Sequence, residues 1–103
     1  MQLILASQSP RRQELLRLIT PDFTVCPADI DEALDAGADL KSEVARLAAG
    51  KARAVAAQYP QAAVVGSDTL VVLDGRALGK PADAAEARRM LGLLSGRTHE
   101  VMT

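Results

Sequence analysis

Leu3-Ile4-Leu5-Ala6-Ser7-Gln8-Ser9-Pro10-Arg11-Arg12-Gln13-Glu14-Leu15-Leu16 joins a buried strand to a helix through a serine-rich turn. Leu3 to Ala6 is an unbroken apolar run of strand length. Ser9 offers an N-cap hydroxyl, and Pro10 suits the first helical position, where a missing N–H forfeits no intrahelical bond. Leu15, Leu16, Leu18 and Ile19 recur at helical spacing and are expected to face a core. Arg11 and Arg12 then fall in the first turn, where the helix dipole is positive and unpaired N–H groups point outward. Two cations there are unfavourable unless an anion sits among them. Strand end, serine turn and helix N-terminus together make a phosphate site that two arginines would complete. The competing reading leaves both arginines extended into solvent.

Composition sets the bounds around that stretch. The chain has 103 residues, room for one small domain, and 49% hydrophobic content supports a folded core. Twelve Lys and Arg against 13 Asp and Glu give a net charge of -1, which argues against a general nucleic-acid or anionic-membrane surface and leaves room for a local basic pocket. Aromatics at 2% are too scarce for a base-stacking platform. The lone Cys26 has no internal disulfide partner and suits a reducing compartment; it reads as a small core or loop residue rather than a catalytic thiol. With neither a signal-peptide pattern nor a membrane-length apolar run, the expected location is the cytoplasm.

Further along, Thr20-Pro21-Asp22 breaks the first helix and Phe23 to Cys26 reads as a short strand. Pro27 to Asp39 is an acidic, loop-like stretch. Within it, Asp29-Ile30-Asp31-Glu32 has two readings: a solvated loop, or a source of carboxylate for a divalent metal. A second helix is expected from Leu40 to Tyr59, with Val44, Leu47, Ala48, Ala52, Val55 and Tyr59 on its apolar face and Arg46 and Arg53 opposite. Lys51 lies in the middle of the apolar face. Either it snorkels to water, or it points into a polar cavity that needs a positive charge.

Ala62 to Val65 is another buried strand and runs into Gly66-Ser67-Asp68-Thr69. A carboxylate at such a strand end is well placed to bind a metal or activate a water. Turn-capping is its bland alternative. Leu70 to Leu73 and Arg76 to Leu78 flank Asp74-Gly75, a strong hairpin signal. Lys80 follows on a stiff Gly79-Lys80-Pro81 turn, either as a phosphate contact or as an ordinary exposed lysine. Asp83 and Glu86 form a capping box for a third helix whose expected core face is Ala87, Met90, Leu91 and Leu94, with Gly96 as terminator. Thr98 to Thr103 reads as a final strand. A domain seldom stops on a strand, so truncation is expected.

Taken together, Leu5-Ala6-Ser7-Gln8-Ser9-Pro10-Arg11-Arg12, Asp31-Glu32, Ala48-Ala49-Gly50-Lys51-Ala52, Gly66-Ser67-Asp68-Thr69, Gly79-Lys80-Pro81 and Leu94-Ser95-Gly96-Arg97-Thr98-His99 resemble, in order and spacing, the Maf family of nucleoside triphosphate pyrophosphatases. That resemblance implies an α/β fold similar to the inosine triphosphate pyrophosphatases, a mixed sheet flanked by helices, with residues 1–103 forming the N-terminal part of a single domain whose C-terminal part is absent. It implies hydrolysis of a triphosphate to monophosphate and pyrophosphate with a divalent cation, Mg²⁺ or Mn²⁺. Asp68 matches the proton acceptor. Ser7, Arg11, Arg12, Lys51 and Lys80 match the lining of the nucleotide pocket, and Glu32 matches a carboxylate holding the metal with Asp68. Arg11 and Thr69 match the specificity positions of the branch acting on dTTP and UTP. The partner so implied is a nucleoside triphosphate, with no nucleic-acid polymer and no membrane. A homodimer formed through exposed apolar edges is one expected consequence of truncation.

Two other readings compete. One is a non-enzymatic regulator of cell division and septum formation, which predicts tolerance of Asp68→Asn. The other is a haloacid-dehalogenase-type phosphatase, suggested by Leu70 to Gly75. That chemistry needs a second aspartate two residues after the first, and Arg76 stands there instead. His99, on the final strand with no evident partner, is expected to be structural.

Overall fold

Each short apolar run becomes a strand and each capped run a helix. The elements are β1 (Leu3–Leu5), α1 (Pro10–Arg17), β2 (Thr24–Val25), α2 (Leu40–Ala56), β3 (Ala63–Val65), β4 (Leu70–Leu73), β5 (Arg76–Leu78), α3 (Ala84–Leu94) and β6 (Glu100–Met102). The computed structural model describes residues 1–35 and 37–103; Ala36, in the expected acidic loop, lies outside the described residues. The chain divides into two units, Met1–Asp68 and Thr69–Thr103. The α/β class is as expected, with the parallel and antiparallel pairings of the expected mixed sheet falling in separate three-stranded sheets, one per unit.

In the first unit the order is β2-β1-β3, all parallel, with β1 central. Ile4 pairs with Thr24 and Val64, and Leu5 with Val25 and Val65. Parallel neighbours need crossovers, and α1 and α2 supply them. Ile4, Ala6 and Val55 form the core cluster, flanked by Cys26, Ala28, Ala62 and Val64. Ile4 and Val55 are the largest fully buried side chains, each contributing about 1.5–3 kcal/mol of apolar burial. Val44 and Leu47 of α2 are also buried.

Two expectations fail in this unit. The helix α2 ends at Ala56, so Tyr59 lies beyond it and is exposed rather than on its apolar face. More consequentially, α1 buries no residue: Leu15 is 57% exposed, and Leu18 and Ile19, just past the helix end, are 82 and 83% exposed. Periodicity identifies an apolar face without identifying what covers it, and among the described residues nothing buries this one. Near its end α1 instead has the Arg17 guanidinium 5.7 Å from the centre of the Phe23 ring, a cation–π contact.

The second unit is antiparallel, β5-β4-β6. Asp74 (φ 52°) and Gly75 (φ 75°) make the left-handed two-residue turn of the β4–β5 hairpin, where a right-handed strand twist favours such geometry. Arg97 donates a hydrogen bond to the Asp74 carboxylate. Asp83 caps α3 by accepting from the Glu86 N–H at 2.8 Å, while Glu86 returns its own carboxylate to the Ala82 N–H, one residue before the cap. Gly96 terminates the helix at φ 71°. The expected core face of α3 is not a core: α3 has no buried residue, and Ala87, Met90, Leu91 and Leu94 line an open groove of about 290 Å³ with Val71 and Leu78. Among the described residues no helix is long and apolar enough to cross a membrane.

Candidate active site

The parallel pairing of β1 with β3 puts two sequence-predicted segments side by side. The Ala6 N–H donates to the Val65 carbonyl at 2.9 Å, so Ser7 and Gly66-Ser67-Asp68 leave the sheet from neighbouring carboxyl ends. Open α/β sheets bind ligands at that edge. Ser7 is buried, and its Oγ accepts from the Ser9 N–H at 3.1 Å and from Arg12 Nη1 at 3.4 Å. Ser9 Oγ caps α1 by accepting from the Arg12 N–H at 3.3 Å. Arg12 is therefore folded back onto the strand end and half-buried, while Arg11 is exposed. No acidic residue occupies the first turn of α1, leaving the positive end of the helix to the two arginines.

Lys51 decides its own two readings. It is only 8% exposed, and its Nζ lies 2.8 Å from Glu32 Oε1 and 2.9 Å from Asp68 Oδ1. It turns inward onto carboxylates and does not snorkel. Burial works against the ammonium charge, but hydrogen bonds to Glu32 and Asp68 and their negative charges outweigh it, holding the Lys51 pKa above its ordinary value. Asp68 is buried as well, and the Glu32 side chain is 44% exposed, so the cluster is closed on one side and open to solvent on the other. Glu32 and Asp68 bring two carboxylates to one cation; among the described residues no group of three or more His, Cys, Asp or Glu forms a metal cluster.

Gly66 explains how α2 comes close enough. A Cβ there would lie 2.3 Å from the Ala48 carbonyl oxygen and 2.9 Å from both N and Cβ of Ala52. The strand end thus packs directly on the helix backbone either side of Lys51. Gly50 performs a similar service for the loop: a Cβ there would meet Ile30 Cδ1 at 3.2 Å.

Two charged residues of α2 were not predicted for the site. Glu43 is 3% exposed and accepts from Arg46 Nε at 2.8 Å and from Nη2 at 2.5 Å. Arg46, expected on the polar face, also donates from Nη2 to the Ala33 carbonyl at 3.0 Å and lies 4.0 Å from Asp35. The Glu43 hydrogen bond holds the Arg46 pKa above its ordinary value. The available signal was the line Glu43, Leu47, Lys51, in four-residue steps along the buried stripe with a charged residue at either end.

The remaining predicted residues belong to the second unit. Thr69 shares a hydroxyl–hydroxyl hydrogen bond of 2.7 Å with Thr103, Lys80 is exposed after β5, and His99 is exposed before β6.

The chain matches the family described as Maf: Maf-like protein over residues 2–103. It is 58% identical over 105 aligned positions to a dTTP/UTP pyrophosphatase of Symbiobacterium thermophilum, covering 99% of this chain and 53% of the relative. It is 57% identical to a dTTP/UTP pyrophosphatase of Koribacter versatilis (100% of this chain, 53% of the relative). A Myxococcus xanthus protein of the same name is 54% identical over 98% of this chain and 52% of its own length. The chain spans about half the length of the curated relatives it matches.

Proposed function

The chain belongs to the Maf family, and on that premise we propose that it carries the phosphate-handling part of a nucleoside triphosphate pyrophosphatase acting on dTTP and UTP. The observation that carries this reading is Lys51 held between Glu32 and Asp68 at the carboxyl edge of a parallel sheet whose central strand leads into an arginine-bearing helix N-terminus. The names of the relatives supply the substrate class.

In this reading Arg11, Arg12 and the positive N-terminal end of the α1 dipole take the negative charge of the triphosphate, and Ser7 orients Arg12. Asp68 accepts a proton from the attacking water as its oxygen bonds to phosphorus. The bridging oxygen between the α- and β-phosphates leaves, giving monophosphate and pyrophosphate. Lys51 fixes the Asp68 carboxylate at 2.9 Å. Thr69 and Lys80 join as substrate contacts on the strength of their match to the family pattern. A divalent cation fits the donor set, because Glu32 and Asp68 already converge their oxygens on one cationic group and Mg²⁺ is commonly bound by one or two carboxylates plus substrate phosphates. When bound, it would supply charge neutralisation at the phosphate oxygens. The free Cys26 thiol accords with a cytoplasmic location.

Asp68→Asn tests the assignment. The amide keeps an acceptor for Lys51 but cannot serve as a base. Hydrolysis should fall by roughly 10²–10⁴-fold, with the far-UV circular dichroism unchanged. Full turnover in that variant would refute the proposal and favour a regulatory, non-catalytic role.

A further inference from the structure

Glu32 is the exposed member of the carboxylate–lysine cluster and comes from a loop without regular structure, yet its carboxylate sits 2.8 Å from Lys51. A loop side chain holds such a position only if the backbone beneath it is fixed. Three contacts fix this one, two of them to successive turns of α2 and one within the loop. Ile30 packs where Gly50 lacks a side chain. The Ala33 N–H turns back to Asp31 Oδ1 at 3.0 Å, closing a local turn around Glu32. The Ala33 carbonyl accepts from Arg46 Nη2 at 3.0 Å, and Arg46 is itself gripped through two nitrogens by the buried Glu43.

The geometry points to Glu43 and Arg46 as positioning residues. Glu43 orients the Arg46 guanidinium, and Arg46 holds the loop at Ala33, the residue next to Glu32, so that Glu32 reaches the site. This inference rests on the hydrolase reading for its catalytic consequence, but the docking itself does not. Burying a carboxylate such as Glu43 is costly unless it is paired. A fork of two donors onto one carboxylate leaves the guanidinium's orientation fixed and its other edge available for a carbonyl. An arginine that served only solubility would not be so placed. Neither residue is assigned contact with substrate.

Arg46→Met tests this, since it keeps the aliphatic stem and removes every donor. Hydrogen exchange at the amides of residues 31–33 should accelerate at least tenfold, while exchange in β1 and β3 stays unchanged. In the hydrolysis assay kcat should drop by roughly ten- to a hundredfold, the scale of a misplacement of about 1 Å in a catalytic group, with KM for dTTP within about twofold. Arg53→Met, an exposed arginine of the same helix, should change neither. The effect must run through Glu32, so adding Arg46→Met to Glu32→Gln should cost little further activity. Unchanged exchange at residues 31–33 overturns the docking, and additive losses in the double variant overturn the route through Glu32. If the unaltered chain turns over no nucleotide, the hydrolase reading falls, and the exchange result still decides the docking.

Discussion

Replacing Gly66 by alanine adds one methyl group at the tightest approach in the first unit. The new Cβ would lie 2.3 Å from the Ala48 carbonyl oxygen, about 1 Å short of the 3.4 Å at which ordinary contact begins. It would also press on the Ala52 N and Cβ, both at 2.9 Å. None of these atoms ends a flexible side chain. Relief requires α2 to move off the end of β3, and α2 carries Val44, Leu47 and Val55 into the core. Overpacking usually costs about 1–3 kcal/mol, and with backbone on the receiving side the upper end of that range applies. A shift of this size also carries Lys51, between Ala48 and Ala52 on the helix, away from Asp68 two residues beyond Gly66. Urea unfolding followed by far-UV circular dichroism measures the first effect, and nucleotide turnover the second. Gly79→Ala is the control: a Cβ there meets nothing within 4 Å, so its stability should stay within about 0.5 kcal/mol. A Gly66→Ala variant as stable as that control would refute the close packing of strand end on helix, and with it the reason Lys51 and Asp68 meet.

Other outcomes follow from single contacts. The Lys51 pKa lies above its ordinary 10.5, so its pairing stabilises the fold fully below that pH and fades as pH rises through the higher folded value. Urea midpoints measured through that range should show a falling alkaline limb that Lys51→Met flattens; an identical limb in both proteins would contradict the buried pairing. Removing the ammonium also leaves Glu32 and Asp68 facing each other, a loss of about 3 kcal/mol at neutral pH by the same titration. Ser9→Ala removes the α1 cap and should cost about 1 kcal/mol, read as a lower urea midpoint. Arg12→Ala should raise KM for dTTP at least tenfold with little loss of stability, since Arg12 is only half-buried; an unchanged KM would remove Arg12 from the phosphate site.

Local chemistry was the legible part of this chain. The Ser9–Pro10 helix start, the Asp83–Glu86 cap and the Asp74-Gly75 turn each depend on residues within a few positions of one another, and all three form. Lys51 was legible as an anomaly, a cation on an apolar stripe. Its partners were not, because Asp68 and Glu32 lie 17 and 19 residues away and are brought to it only by the β1–β3 pairing and the docking of the loop on α2. Glu43 and Arg46 were passed over for the same reason, as their role depends on the Ala33 carbonyl, which no side-chain pattern encodes. Periodicity misled where it identified a face and not its cover: Leu15 on α1, Leu18 and Ile19 just past its end, and Leu91 on α3 are exposed.

The most direct measurement is identification of the products formed from dTTP, UTP and GTP in the presence of Mg²⁺, run beside Asp68→Asn. Thymidine or uridine monophosphate together with pyrophosphate, formed faster than any product of GTP and lost in the variant, is the predicted result. A nucleoside diphosphate with orthophosphate, the same rate in Asp68→Asn, or no turnover of any triphosphate would contradict it.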